Sequence, residues 1–332
     1  MDELLFAVFL VLASFFLMNA LLTLFVGVTW RFVSKLSLNW SAKSRAKFIF
    51  AFRLLPFVLS VSLLLFLFIP SFVIHEKENP EEFVSFRLSV LAFVALAVLV
   101  FAFLRALLSL LKTQILVSKW MREENRLNLG YTKTPVYKIE NQYPMIAVFG
   151  LFKHKIFIDS RVFEILNDEE IEAVIAHEQA HINSLDNLKR FALNFCRNLT
   201  VLPFFKNIET AWDNSSEAAA DEFASQDKRT RPLDLASALV KLARELSNTP
   251  TQKFVMASYI SSEAHAPVAW RIERLISLAN NFPQKEEKKY LGSFILAIAC
   301  FAFAVKFLLL ATHTDLFLFT HYLIEIFVKL LV

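Results

Sequence analysis

Four long apolar stretches constrain this chain more than any other feature of its sequence. They are Leu4–Val28, Leu54–Ile74, Leu88–Leu111 and Leu291–Ala311. Each reaches the length of about 20 residues that an α-helix needs to cross a bilayer. A buried core helix could explain any one of them, and a signal peptide could explain the first, but that stretch is too long for a signal and has no basic start. We therefore predict a multi-pass α-helical membrane protein.

The uneven distribution of apolar residues divides the chain into three regions. Hydrophobic residues make up 56% of the 332 residues and concentrate at the two ends. We predict three spans with short loops in 1–112, a soluble domain in 113–289, and the fourth span with a short amphipathic apolar tail in 290–332. The tail, Leu316–Val332, also carries charged residues. We expect it to form a helix at the interface or packed on the bundle, with a fifth span as the alternative.

The positions of lysine and arginine predict how the chain is oriented, because these residues accumulate on the cytoplasmic side. The loop after the first span is basic, with Arg31, Lys35, Lys43, Arg45 and Lys47. The next loop is rich in acid, with Glu76, Glu78, Glu81 and Glu82. We therefore expect the N-terminus outside and the middle domain in the cytoplasm. Since the net charge is only +4 and the basic residues adjoin the spans, we expect contact with the lipid bilayer and no nucleic-acid partner.

The middle domain combines short apolar runs with helical patterns. The runs Val136–Glu140, Met145–Phe149 and Lys155–Asp159 predict a small β-sheet. Asn167 then precedes three acidic residues and is a good N-cap, and Glu170 completes a capping box. Further helices are expected at about 186–200, 207–227, 232–247 and 267–281. The fold class is a mainly α, α+β domain that carries a small sheet.

The motif His177-Glu178-Gln179-Ala180-His181 is the main indication of chemistry. On a helix its two histidines share one face, so both imidazoles can bind one zinc ion. Glu178 can act as the general base that takes a proton from water at the zinc. A surface helix that happens to hold two histidines is the alternative for the motif alone.

A third ligand is expected at Glu217, in the stretch Glu217-Ala218-Ala219-Ala220-Asp221. Catalytic zinc usually has three protein ligands and one open position. Asp221 lies one turn after Glu217 and can accept a hydrogen bond from a ligand histidine. The alanines between the two acids favour close packing against another helix. An ordinary acidic helix face is the alternative.

Together these stretches resemble the BlaR/MecR antirepressor-type integral membrane metallopeptidases, which share a gluzincin core with the HtpX-like and CAAX-prenyl-protease families. The resemblance covers nearly the whole chain. The stretches that carry it are Pro144–Gly150, Lys155–Asp159, Leu166–Glu178, Asp186-Asn187, Glu217–Asp221 and His265–Leu275.

The resemblance implies zinc-dependent peptide hydrolysis. The implied zinc ligands are His177, His181 and Glu217, with Glu178 as the general base and with Asp221 and Asp186 in supporting roles. His265 would reach the oxyanion and Arg271 would brace the site. In the alternative, His265 caps a helix near Pro267 and Arg271 pairs with Glu273 or Glu263. The edge strand Met145, Ile146, Ala147, Val148 and Phe149 could accept a substrate strand by backbone pairing.

The chain departs from the best-known BlaR/MecR proteins after its fourth span, where those proteins carry a penicillin-binding sensor. Ser109-Leu110-Leu111-Lys112 fits Ser-x-x-Lys, but it ends a membrane span and no Lys-Thr-Gly accompanies it. We therefore expect no β-lactam sensor domain. The leading hypothesis is an endopeptidase in the bacterial inner membrane that cleaves a cytoplasmic or membrane-proximal protein, and the resemblance implies a transcriptional repressor as a candidate substrate. The alternatives are HtpX-like quality control and a non-catalytic zinc-stabilised scaffold, against which the intact Glu178 argues.

Overall fold

The structure is a computed structural model that describes residues 2–75, 85–122, 126–140, 144–200, 206–226, 230–247, 268–281 and 314–331. Three helices in these ranges are long and apolar enough to cross a membrane, so the protein is a multi-pass membrane protein. Helix α1 covers Asp2–Leu36. Helix α2, Ala42–Leu63, continues through a π-helical turn, Leu64–Phe68, into α3, Ile69–His75. The predicted fourth span, Leu291–Ala311, lies outside the described residues.

The third membrane helix, α4, runs without a break from Phe86 to Arg122. It is much longer than the apolar stretch Leu88–Leu111, and the predicted boundary at residues 112–113 falls inside it. Its last turns pack against the sheet of the middle domain, where Trp120 lies 5.2 Å from the ring of Phe157. This contact stabilises the helix beyond the apolar stretch, which hydropathy alone does not indicate.

The middle domain contains a four-stranded sheet in the order β1-β2-β4-β3. The strands are β1, Arg126–Leu127; β2, Val136–Ile139; β3, Ile146–Phe149; and β4, Lys155–Asp159. Strands β2 and β4 are parallel and the other two pairs are antiparallel. The prediction of a small sheet is confirmed; β1 was missed because two residues show no alternation of apolar and polar positions.

Strand β4 is buried on both of its faces. Ile156 and Ile158 point into a core that the following helices cover. Phe157 points the opposite way, towards Trp120 of α4. Because successive side chains of a strand alternate between faces, the end of a membrane helix covers one face of the sheet and the soluble helices cover the other.

Seven helices follow the sheet in the described ranges. They are α5, Val162–Ile165; α6, Asp168–Ser184; α7, Asp186–Asn198; α8, Lys206–Ala224; α9, Arg231–Ser247; α10, Val268–Asn280; and α11, Thr314–Leu331. The four helices predicted after the motif helix are confirmed, each within a few residues. Helix α11 contains most of the predicted tail and packs on the membrane bundle, where Ile324 and Val328 contact a cluster that includes Phe6 and Leu10.

Helices α7 and α8 pack directly on the membrane helices. Trp212 and Ile208 of α8 share an apolar cluster with Ile49 of α2 and Val26 of α1. Each of these side chains is almost fully buried. The helix that carries Glu217 is therefore anchored to the first two membrane helices.

Candidate metal centre

Helix α6 carries the two histidines on one face and begins at the predicted cap. The Asn167 side chain accepts a hydrogen bond from the Glu170 backbone N–H at 2.8 Å, and the Glu170 carboxylate accepts one from the Asn167 N–H at 2.9 Å. This capping box satisfies donors that the first turn would leave unpaired. One turn apart on the same face, the Nε2 atoms of His177 and His181 lie 3.1 Å from each other.

Glu217 of α8 completes a triangle of ligand atoms with these two nitrogens. Its Oε2 lies 3.5 Å from His177 Nε2, and its Oε1 lies 3.6 Å from His181 Nε2. Zinc lies about 2.0–2.1 Å from histidine nitrogens, and tetrahedral ligands at that distance are about 3.3 Å apart. The observed triangle has this size, so the three residues could hold one metal ion.

Each histidine turns its other ring nitrogen towards a carboxylate. His177 Nδ1 lies 3.0 Å from Asp221 Oδ1, and His181 Nδ1 lies 2.8 Å from Asp186 Oδ2. A hydrogen bond from Nδ1–H to the carboxylate leaves the Nε2 lone pair directed at the centre of the triangle. Asp186 also accepts a hydrogen bond from Ser216 Oγ at 2.7 Å, which connects this side of the centre to α8.

Arg271 of α10 joins the remaining carboxylates. Its guanidinium donates to both oxygens of Asp221, at 3.0 and 2.6 Å, and its Nη1 lies 3.0 Å from Glu217 Oε2. The structure therefore places Arg271 against two carboxylates of the candidate site. The pairing with Glu273 is wrong for the described residues, and Glu263 lies outside them.

The charges of the centre favour a bound cation. Burial and the nearby Arg271 guanidinium lower the pKa of His177, but hydrogen bonds to Asp221 and Glu217 outweigh them and raise it to about 9. Burial alone would raise the pKa of Glu217, yet Arg271 and the histidines hold it well below its usual value. Glu217 is thus an anion beside the two rings, and a metal ion that displaces the His177 proton would meet two imidazoles and one carboxylate, a donor set that zinc uses.

Glu178 follows His177 in the chain and lines the same cleft as the three candidate ligands. Its side chain is half-buried. Burial raises the pKa of Glu178, although the two histidines partly offset this effect. A carboxylate with a raised pKa beside a metal position can accept a proton and later release it, as a general base must.

The cleft has a volume of about 1630 Å³ and borders the edge strand β3 on one side. Met145 lies just before the strand as the structure has it, and its carbonyl accepts a hydrogen bond from the Asp159 N–H at 2.9 Å. Since backbone groups alternate in an antiparallel pair, those of Ile146 and Val148 face away from β4 and towards the cleft. The predicted substrate strand is thus an edge of the sheet that lies beside the histidines.

Asn187 connects this edge to the metal centre, a role that its position in the sequence did not indicate. Its Nδ2 donates to the carbonyls of Val148 and Gly150, both at 3.1 Å. Gly150 has a φ of 103°, and a Cβ there would overlap the carbonyl of Lys153, so the hairpin needs glycine. The neighbouring Asp186 contacts His181, and one dipeptide therefore contacts both a candidate ligand and the strand.

The sequence analysis did not single out Ser216 or Lys189, and it noted Asn187 only as part of the resemblance, without a role. All three act through hydrogen bonds that a single sequence does not mark, because serine, lysine and asparagine are common on helix surfaces. His265, predicted to reach the oxyanion, lies outside the described residues. The other predicted site residues converge on one cleft, apart from Asp221, which lies behind His177.

A family model described as BlaR1 peptidase M56 matches residues 75–275. None of the curated proteins matches the chain. The matched region contains α4, the sheet, the triangle of ligands and Arg271, and it covers well over half of the chain. The chain therefore belongs to the BlaR1 peptidase M56 family of metallopeptidases.

Proposed function

We propose that this protein is a membrane-embedded zinc endopeptidase that cleaves a cytoplasmic or membrane-proximal protein. The observation that carries the proposal is the triangle of His177, His181 and Glu217, whose edges of 3.1 to 3.6 Å fit one tetrahedral zinc ion. The family assignment supports it independently. A cleft on one side of the triangle leaves room for a peptide and a water molecule.

The residues around the triangle have separate roles in this proposal. Zinc, when bound, supplies a Lewis acid that polarises water and the scissile carbonyl. Glu178 takes the proton of the attacking water and delivers it to the leaving amine. Asp221 and Asp186 hold the imidazole rings in one orientation, and Arg271 holds Asp221 and Glu217 in place. His265 stays a candidate for the oxyanion.

The substrate is proposed to bind as an added strand along β3. The backbone of Ile146 and the N–H of Val148 face the cleft, whereas the carbonyls of Val148 and Gly150 already accept hydrogen bonds from Asn187. Pairing of this kind fixes the direction of the peptide chain and brings one bond to the metal without requiring particular side chains.

The proposed location is a bacterial inner membrane with the N-terminus outside and the peptidase domain in the cytoplasm. The basic loop between α1 and α2 and the basic residues at the end of α4 support this orientation. A cytoplasmic catalytic domain has access to soluble proteins as well as to membrane-proximal segments. The family assignment favours a transcriptional repressor as the substrate, with quality control of membrane proteins as the second candidate.

Purified full-length protein and its Glu178→Gln variant test the proposal. We expect both to bind about one zinc ion, because Glu178 is not a ligand, and only the wild type to cleave casein or peptides in detergent. Cleavage by the variant at the wild-type rate would refute the assigned base. Comparative proteomics of cells that express either form then identifies the substrate: one clipped repressor indicates signalling, and many clipped membrane proteins indicate quality control.

A further inference from the structure

We propose that the peptidase selects an acidic, membrane-proximal segment of its substrate, which the basic walls of the cleft recognise. The inference rests on the proposed peptidase function and adds the chemical class of the substrate. Its basis is the sign and position of the charges in the cleft outside the metal centre.

One wall of the cleft is the inner part of the third membrane helix. Residues from Arg105 to Met121 of α4 line the cleft, and the histidines, Glu178 and β3 line it from the other side. The wall is fixed, because Trp120 packs at 5.2 Å against both Phe149 and Phe157 of the sheet. The cleft therefore extends from the metal centre to the predicted membrane surface, and a substrate segment close to the membrane can reach it.

All charged lining residues outside the metal centre are basic among those that the structure describes. They are Arg105, Lys112, Lys153, Lys155, Arg190 and Arg197. Two of them are neutralised, since Arg190 pairs with Asp213 at 3.0 Å and Arg197 pairs with Glu209 at 3.1 Å. Neither Lys112 nor Lys153 has a carboxylate within ion-pair distance in the described part of the chain. Both are exposed, so the cleft carries uncompensated positive charge.

The position of Lys153 favours substrate recognition over membrane topology as the explanation of the basic charge in the cleft. Basic residues beside a span, such as Arg105 and Lys112, are expected from topology alone. Lys153 instead lies on the hairpin between β3 and β4, next to Phe152, which is 76% exposed. A peptide paired along β3 must pass this hairpin at one end. Cations therefore lie on two walls of the cleft, and only one of those walls is a membrane helix.

The remainder of the cleft is largely apolar, which defines the substrate further. Phe191 and Phe195 of α7 and Leu239 and Leu242 of α9 line it. Apolar side chains of the peptide would therefore lie near the metal, while acidic residues farther along the peptide would meet Lys112 and Lys153. The favoured segment has an apolar centre with acidic flanks.

Cleavage of matched peptides by the purified full-length enzyme in uncharged detergent tests this specificity. Quenched fluorescent peptides share one apolar centre and carry flanks of glutamate, glutamine or lysine. We expect kcat/KM for the acidic peptide to exceed that for the basic peptide by about tenfold, as several exposed ion pairs would give, and the preference to shrink in high salt. Equal rates for the three peptides would overturn the inference and leave the peptidase function intact.

The double variant Lys112→Glu, Lys153→Glu should reverse the preference between the glutamate and lysine peptides, and a zinc content and unfolding temperature equal to those of the wild type show that it is folded. Lys119→Glu is the matched control, because Lys119 is exposed on the same helix but does not line the cleft. Nanodiscs of neutral lipid with and without phosphatidylglycerol provide the other arm. A double variant that alters only the response to anionic lipid would overturn the inference. If the wild type cleaved none of the peptides and so behaved like Glu178→Gln, both the proposed peptidase function and the inference about its substrate would be refuted.

Discussion

The two histidines of the metal centre are held in different ways, although they lie one turn apart on the same helix. His177 contacts Asp221, which comes from α8, is 0% exposed and is held in turn by Arg271 of α10. His181 contacts Asp186, which follows it by five residues and begins the next helix. The His177 side therefore joins three helices that are distant in sequence, whereas the carboxylate beside His181 comes from the next turn of the chain and also accepts a hydrogen bond from Ser216 of α8.

Because of this difference, we expect the two sides to contribute differently to folding and to metal binding. The His177 side is buried, so a charged group there that loses its partner cannot be solvated by water. The contacts on this side should therefore contribute to folding as well as to metal binding. His181 is more accessible, at 15% side-chain exposure against 6% for His177. Its partner Asp186 also retains Lys189 and Ser216. Changes on the His181 side should mainly affect the metal.

Replacement of Arg271 should produce the largest effect. Arg271→Ala leaves the carboxylates of Asp221 and Glu217 buried without their cation, and loss of one partner of a buried pair costs about 3–5 kcal/mol. Thermal unfolding in detergent measures the loss. We expect it to be smaller in the presence of zinc, which would compensate part of the charge. If the metal-free Arg271→Ala variant unfolded at the wild-type temperature, the His177 side would not contribute to folding as proposed.

Paired substitutions of the two aspartates compare the sides directly. Asp221→Asn and Asp186→Asn each weaken the hydrogen bond that orients a ligand, and each should lower zinc affinity by about 10–100-fold. Only Asp221→Asn should also lower the unfolding temperature of the metal-free protein, because it weakens the clamp with Arg271. Zinc titration with a competing chelator measures the affinity, and equal destabilisation by both variants would remove the distinction.

Loss of the Asn187 side chain should have a smaller and different effect. Asn187→Ala removes two hydrogen bonds to the carbonyls of Val148 and Gly150 without touching a ligand or its partner. We expect zinc affinity to stay unchanged and KM for peptides to rise by about tenfold, because the edge strand loses its fixed distance from the metal. Asn183→Ala is the control, since the Asn183 side chain accepts an exposed hydrogen bond from Gln179 and neither residue lines the cleft. A drop in zinc affinity would show that Asn187 acts through Asp186 instead.

Local spacing in the sequence was sufficient for the parts of the centre that lie within one helix. The capping box and the two histidines of α6 follow from intervals of three and four residues, which helix geometry alone turns into contacts. Arg271 was ambiguous for the opposite reason. Its partner Asp221 lies 50 residues away, and a single sequence does not state which acid a distant arginine will meet.

The extension of α4 shows the same limit on a larger scale. Hydropathy identified the span but not the turns beyond Lys112, where Trp120 packs against the sheet. The continuity of a membrane helix with the wall of the cleft depends on that contact. A tertiary contact of this kind determines where the helix ends, and the sequence pattern at its end does not.

Substitution of Glu170 at the start of α6 should weaken the His177 and His181 sides equally. It therefore serves as a reference for the comparison of the two sides. Burial alone would raise the pKa of Glu170, but hydrogen bonds from Lys241, Ser237 and the Asn167 N–H outweigh it and lower that pKa. The ionised form is therefore favoured by folding, and its contribution is present above the ordinary value of 4.5 and is lost as the pH falls through the lower, folded value.

Glu170→Gln should accordingly cost about 1 kcal/mol of unfolding free energy near neutral pH, the usual size of a capping contribution, and progressively less in acid. Unfolding of the metal-free protein across this pH range measures the difference between variant and wild type. Since both histidines lie on the same helix, the variant should leave the relative effects of Asp221→Asn and Asp186→Asn unchanged. If Glu170→Gln altered the effect of only one of these two substitutions, the difference between His177 and His181 would depend on their distance from the start of the helix and not on their carboxylate partners.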